Sequence, residues 1–264
     1  MDSLRPLLAY APLFRNLVRR EVRQRYKASA LGLAWTLINP LLVVAAYWVV
    51  FKFLFGSPIQ NYALFLFVGL MVWTLVFGGM SVGAQSIISN ASLVTKVRFP
   101  RVIIPAAAIT ANAVIAAAML LIALPLCIWL QEGSYAPLIA LPALLIVAFV
   151  FTIGLGLVLA AVNVYFRDVE HIIAALGVPW FFLTPIFYTY STLPDAAREH
   201  EVLIGILHWG NPIAPLVICI QDTLFFGTWP PLADALYVIL ASIAMVIIGW
   251  QVFARLEREM AVEL

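Results

Sequence analysis

Five long apolar stretches decide what this chain can fold into. At roughly residues 33–55, 62–88, 102–130, 137–163 and 232–253 the sequence stays apolar for the length of about 20 residues that a helix needs to cross a bilayer. A sixth stretch, about 172–190, is shorter in its clean apolar part and contains Pro179 and Pro185. It reads as a span kinked or broken at proline, which removes a backbone donor. Hydrophobic residues make up 64% of the chain and charged residues 11%, where soluble domains carry about 25% charged residues. The class this predicts is an all-α polytopic membrane protein, with residues 1–264 forming a single transmembrane domain.

The cations orient the spans. Lysine and arginine concentrate on the cytoplasmic side of membrane proteins. With six spans and an inside N-terminus, segments 1–32, 89–101, 164–171 and 254–264 hold 13 of the 15 Lys and Arg residues. Only Lys52 and Arg198 fall outside. Both termini are therefore predicted to be cytoplasmic.

Residues 10–30 precede the first span as a basic amphipathic helix. Phe14, Leu17, Val18, Val22 and Tyr26 share one face, while Arg15, Arg19, Arg20, Arg23 and Arg25 occupy the rest. That pattern predicts a helix lying in the membrane surface, apolar side down and cations towards anionic head groups. The first 30 residues lack the apolar block and small-residue cleavage site of a signal peptide.

Between spans five and six, region 191–231 holds two apolar pieces, Val202–Trp209 and Pro212–Phe226, each too short to cross. Counting the second as a span would place Arg255 and Arg258 outside. The region therefore reads as a re-entrant or interfacial helix pair on the outer face. Such backbone is tolerated at membrane depth only against protein or a water-filled cavity.

Two inner loops carry chemistry beyond bulk charge. In SLVTKVRFPRVIIP, Lys96, Arg98 and Arg101 surround Phe99. In NVYFRDVEHIIAAL, Arg167, Asp168, Glu170 and His171 fall together, reading as a short helix with Asp168 near its positive end. Both suit docking elements for a soluble partner, and both equally suit ordinary connectors. Aromatic residues reach 13%. Tyr47, Trp48 and Phe51 on span one, with Trp180, Phe181 and Tyr188 around the Thr-Pro break, could line a conduit for sugars or belong to an interfacial belt. Gly79-x-x-x-Gly83 and the alanine clusters of span three permit close helix approach. Asn112 and Asn163 read as interhelical hydrogen-bond glue.

Several classes find no support. No GxxxxGK[ST] phosphate loop is present. No acidic pair sits mid-span, as a proton- or sodium-coupled carrier would need. The three histidines form no metal cluster, and Cys127 and Cys219 match no metal-ligand spacing. Neither a catalytic site nor a nucleic-acid partner is expected.

The stretches RREVRQRYKASALGLAWTLINPLL, LVTKVRFPRVIIP, NVYFRDVEHI and PWFFLTPIFY, in this order, resemble the permease subunits of ABC-2 type polysaccharide exporters of O-antigen and teichoic acid. The resemblance covers nearly the whole chain. It implies a six-span subunit of a bacterial inner-membrane exporter that forms a homodimer and pairs with two ATP-binding subunits. ATP and Mg would bind on those partners, with no cofactor on this chain. It further implies an undecaprenyl diphosphate-linked polysaccharide as cargo. By the same resemblance, Arg15–Lys27 is the interface helix, residues 96–101 and 167–171 contact the ATPase, and residues 193–226 are periplasmic gate helices. Rival readings are an ABC-2 exporter of another lipid or small molecule, a secondary transporter, or a membrane-embedded transferase acting on the same carrier.

Overall fold

The computed structural model describes residues 10–25, 34–97, 99–130, 133–193, 200–257 and 259–260. Among them the structure is helical, without strands. Helix α1 (Ala11–Arg25) precedes α2 (Trp35–Tyr47), which continues as a π-helical segment, Trp48–Leu54. Span two joins α3 (Tyr62–Trp73), a π turn at Thr74–Gly78 and α4 (Gly79–Ser89). After the short α5 (Ala91–Lys96) come α6 (Ile103–Leu130) and α7 (Leu141–Tyr165). Next are α8 (Asp168–Leu183), α9 (Glu201–Trp209), α10 (Ile213–Gln221) with a π turn at Asp222–Phe226, and α11 (Leu232–Leu256).

Five of these units are long and apolar enough to cross a membrane: Trp35–Leu54, Tyr62–Ser89, Ile103–Leu130, Ala136–Tyr165 and Leu232–Leu256. The predicted sixth takes a different form from the sequence expectation. Pro179 sits inside α8 without ending it, and the helix stops at Leu183. Thr184 turns extended, φ −95° and ψ 136°, because the residue before Pro185 is pushed out of the helical region. The 16 residues of α8 cover about 24 Å, and the non-helical stretch that follows completes the crossing. Arg167–His171 is likewise no separate helix: Asp168 and Glu170 form the first turn of α8 itself.

Contacts sort the helix ends onto two faces. One core unites Leu17, Ile87, Ile103, Val164, Phe253 and Met260. It therefore holds α1, the end of span two, the start of span three and the ends of spans four and six on one face, the basic one. On the opposite face a single cavity is bordered by residues Pro58–Asn61, Leu130, Thr189–Thr192 and Phe225–Phe226. The chain thus crosses once between Tyr165 and Thr189. The segment after α8 and the end of the hairpin that follows lie together on this face. Helices α9 and α10 are bent by 89° at the break between them and form a hairpin whose end shares the cavity with Thr189 and Thr192.

Span two is the centre of the bundle, with every residue from Leu64 to Val72 buried. Asn112 Nδ2 donates to the Thr74 carbonyl at 2.7 Å, a partner for the backbone where the π turn begins. Asn163 Nδ2 donates to the Ala84 carbonyl at 2.9 Å. Both asparagines link helices, as their placement in apolar spans implies. Glycines set the tightest crossings. A Cβ on Gly249 would lie 2.2 Å from the Gly154 carbonyl oxygen, so spans four and six touch backbone to backbone.

Candidate functional site

The apolar face of α1 rests on protein. Leu17 is buried in the basic-face core, with Leu13, Phe14 and Val18 packed beside it. That face is therefore at least partly covered by protein, with Leu17 buried and Leu13, Phe14 and Val18 half-buried. An amphipathic pattern records only that one side is apolar, and here that side meets the ends of spans two to four and six. The arginine row divides accordingly. Arg19 and Arg23 are exposed, while Arg20 is half-buried. Its guanidinium donates to Asn90 Oδ1 and pairs with Glu21 at 3.1 Å. The side chain of Arg25 lies outside the described residues.

The two polar turns on the basic face also differ from each other. Lys96 is exposed, and Phe99 packs against the basic-face core. The backbone N–H of Arg101 donates to Glu257 Oε1 at 2.9 Å, and its guanidinium donates to the Glu257 carbonyl. Arg101 is thus held at the end of span six, where a cation also meets the negative pole of α11. Arg98 lies outside the described residues. In the second turn Arg167, Asp168 and His171 are exposed and Glu170 is half-buried, while Phe166 is 67% exposed. This turn is the freer surface of the two. It also begins the helix that leads to the outer hairpin.

Along α8 runs an aromatic array. Tyr47 stacks on Phe181 with centroids 5.5 Å apart, and Phe51 stacks on Phe187 at 4.7 Å. Trp73 stacks on Phe77 at 4.5 Å, with Trp180 edge-on to both. Pairs of this kind contribute about 0.5–1.5 kcal/mol beyond their buried area. A groove of about 430 Å³ between α2 and α8, floored by span two, is lined by Asn39, Tyr47, Trp73, Phe77 and Phe181 among others. Tyr188 continues the array outward through Tyr190, His208 and Trp209 to Tyr237. Of the residues expected there, Tyr47, Phe51, Trp180, Phe181 and Tyr188 come together. Trp48 is 42% exposed and makes no ring contact among the described residues. Trp73 and Phe77 were missed, although their i, i+4 spacing on span two is a readable signal.

The hairpin tip is pinned to two spans. Trp180 Nε1 donates to Asn211 Oδ1 at 2.8 Å, and Asn211 Nδ2 donates to Thr184 Oγ1 at 2.9 Å. His208 Nε2 lies 2.8 Å from Asp234 Oδ1 at the start of span six. Tyr237 OH donates to the Trp209 carbonyl at 2.7 Å. Burial, with Tyr188 and Asp234 close by, holds the Tyr190 phenol above its ordinary pKa. Asn211, His208 and Asp234 carry no sequence signal of this role, since their partners lie 26 to 31 residues away.

No group of three metal-ligating side chains occurs among the described residues. A membrane bundle with an aromatic groove, a hairpin anchored on one face and an exposed polar turn on the other has the form of a membrane subunit rather than a soluble domain. Comparison with known proteins makes this specific. Residues 12–225 match the family model described as ABC-2 type transporter, and the chain belongs to that family. It is 32% identical over 247 residues to the O-antigen export system permease protein RfbA of Myxococcus xanthus, covering 93% of this chain and 92% of the relative. A Klebsiella pneumoniae protein of the same name is 27% identical over 251 residues, 93% and 92% of the two chains. The capsule polysaccharide export inner-membrane protein CtrC of Neisseria meningitidis serogroup A is 22% identical over 264 residues, 97% and 95% of the two chains.

Proposed function

We propose that this chain is the permease of an ATP-driven exporter that moves a lipid-linked polysaccharide of O-antigen type across the inner membrane to the periplasm. The observation that carries the reading is the 32% identity, over 93% of the chain, to a protein named for O-antigen export. The aromatic groove between α2 and α8 supports it. Ring faces stack on the apolar faces of sugars, and Tyr47, Trp73, Phe77 and Phe181 supply such faces along the groove. In this reading two copies assemble with two ATP-binding subunits, which hydrolyse ATP with Mg. The exposed turn Phe166–His171 receives the stroke, and α8 carries it to the Thr184–Asn211 contact under the outer hairpin. In the same reading the turn bearing Lys96, Phe99 and Arg101, and with it Arg98 by the sequence resemblance, is a second contact with the ATP-binding subunit. Exposed Arg19 and Arg23 meet the diphosphate of an undecaprenyl carrier, for which arginine offers a bidentate fork.

Orientation follows from charge: the face carrying Arg15, Arg19, Lys96, Arg101, Arg167 and Arg255 is cytoplasmic, with both termini on it. Export of capsule rather than O-antigen polysaccharide is the second reading, favoured by the likeness to CtrC. The test is complementation: expression with its ATP-binding subunit in a strain lacking its O-antigen permease. Surface O-polysaccharide should return. Stable membrane insertion without any surface polysaccharide would refute the proposal.

A further inference from the structure

On the outer face a cavity of about 600 Å³ opens beside the hairpin, within the range of about 300–1,000 Å³ typical of small-molecule sites. Four separate segments build it. The loop after span one contributes Gln60 and Asn61, the start of span three's exit loop contributes Gly133, the segment after α8 contributes Thr189, Ser191 and Thr192, and the end of the hairpin contributes Asp222, Phe225 and Phe226. The loop wall is held from within, because Lys52 Nζ donates to the Ser57 carbonyl at 2.7 Å and to the Ile59 carbonyl at 3.1 Å. Asn61 has φ +46°, the one positive φ at a non-glycine among the described residues. Asparagine is among the residues that adopt this left-handed backbone most readily, and here it stands at the N-cap of α3. Asp222 is half-buried, and among the described residues its carboxylate has no hydrogen-bond or ion-pair partner. Polar residues of three segments thus line the cavity, an aromatic pair lies beside them, and none of the described residues answers the carboxylate.

We infer that this cavity binds one or two neutral, hydroxyl-rich sugar units of the emerging polymer, a capture site at the conduit's exit. The inference rests on the polysaccharide reading above and extends it to a second place on the chain. A carboxylate and two amides suit vicinal hydroxyls, which both donate and accept, and the Phe225 and Phe226 rings suit an apolar sugar face. The free carboxylate opposes acidic sugars by like-charge repulsion. A cation held by the same oxygens is the alternative that the test must separate.

The full chain in lipid nanodiscs is examined by saturation-transfer NMR with methyl glycosides of neutral hexoses, 6-deoxyhexoses and N-acetylhexosamines, with methyl glucuronide, and with calcium chloride alone. At least one neutral glycoside should bind, with the glucuronide at least tenfold weaker. Asn61→Gly keeps the left-handed backbone and removes the amide, and Asp222→Asn removes the charge. Each should weaken binding at least fivefold while the thermal stability of the protein stays at or above the parent's. Absence of binding by every neutral glycoside, binding unchanged in both variants, or displacement of the glycosides by calcium would each overturn the capture site. Surface polysaccharide measured in cells with the parent chain separates the two claims. If it is exported while no glycoside binds, the capture site falls and the export reading stands; if none is exported, the export reading falls as well.

Discussion

Substitution of Gly154 by alanine tests whether spans four and six pack as closely as the backbone implies. An added Cβ would lie 2.5 Å from the Met245 carbonyl carbon and 2.6 Å from both its oxygen and the Val246 nitrogen. Carbon atoms rest at about 3.5–4.0 Å, so the helices must part by roughly 1 Å. Every neighbour is backbone, and none can rotate aside. Overpacking of this kind costs about 1–3 kcal/mol, while exchanging glycine for alanine within a helix recovers about 1 kcal/mol. The expected net loss is therefore about 0–2 kcal/mol, or a fall in Tm of up to about 8 °C at about 2–4 °C per kcal/mol for a chain of this size. Gly249→Ala meets the same crossing from the other side and should behave alike. Gly205, in exposed α9, has nothing within 4 Å of its virtual Cβ, so Gly205→Ala should leave Tm unchanged or raise it. Thermal inactivation followed by fluorescence-detected size exclusion in detergent reads all three. Equal stability of Gly154→Ala and Gly205→Ala would refute the backbone-contact crossing.

Replacing Asn211 by alanine removes the partner of Trp180 and Thr184 and strands buried polar groups at about 1–3 kcal/mol; export should fall while dimer yield, read by crosslinking, persists. His208→Ala leaves buried Asp234 without its 2.8 Å partner, so the variant should lose Tm, and Asp234→Asn should recover part of that loss in the double variant. Exchange of exposed Arg167 and Asp168 for alanine should lower ATPase stimulation measured with the partner subunit, without altering the permease's own Tm. Arg23→Lys keeps surface charge but loses the planar fork, and polysaccharide export in cells should drop with normal membrane insertion. In a background lacking Cys127 and Cys219, a cysteine at Thr95 should label from the cytoplasm and one at Ser191 from the periplasm.

Much of the bundle was legible because apolar length is a local property. Trp35–Leu54 and the other four long units repeat the predicted stretches within a few residues. The hairpin was legible for the same reason, since two short apolar runs around Asn211-Pro212 could neither cross nor stay in water. Pro185 announced a break, but sequence could not say that Pro179 would be accommodated within α8. Long-range pairing stayed hidden. The row of arginines on α1 looks uniform by spacing, yet Arg20 reaches Asn90, 70 positions away, and leaves the row. Arg101 is claimed by Glu257, 156 positions on. The π turn at Thr74–Gly78 draws on a neighbouring helix, since Asn112 donates to the Thr74 carbonyl. Of the aromatic groove, the pairs close in sequence could be read, Trp73 and Phe77 among them by their i, i+4 spacing, whereas their meeting with Trp180 and Phe181 depends on the fold.

The most direct measurement of the central claim is transport in proteoliposomes holding this chain with its ATP-binding subunit and lipid-linked polysaccharide. Glycan on the face opposite the nucleotide, detected by a membrane-impermeant lectin, should accumulate with ATP and Mg. It should not accumulate without ATP, or when the ATPase is inactive. Glycan that remains on the nucleotide side while ATP is hydrolysed would contradict the account.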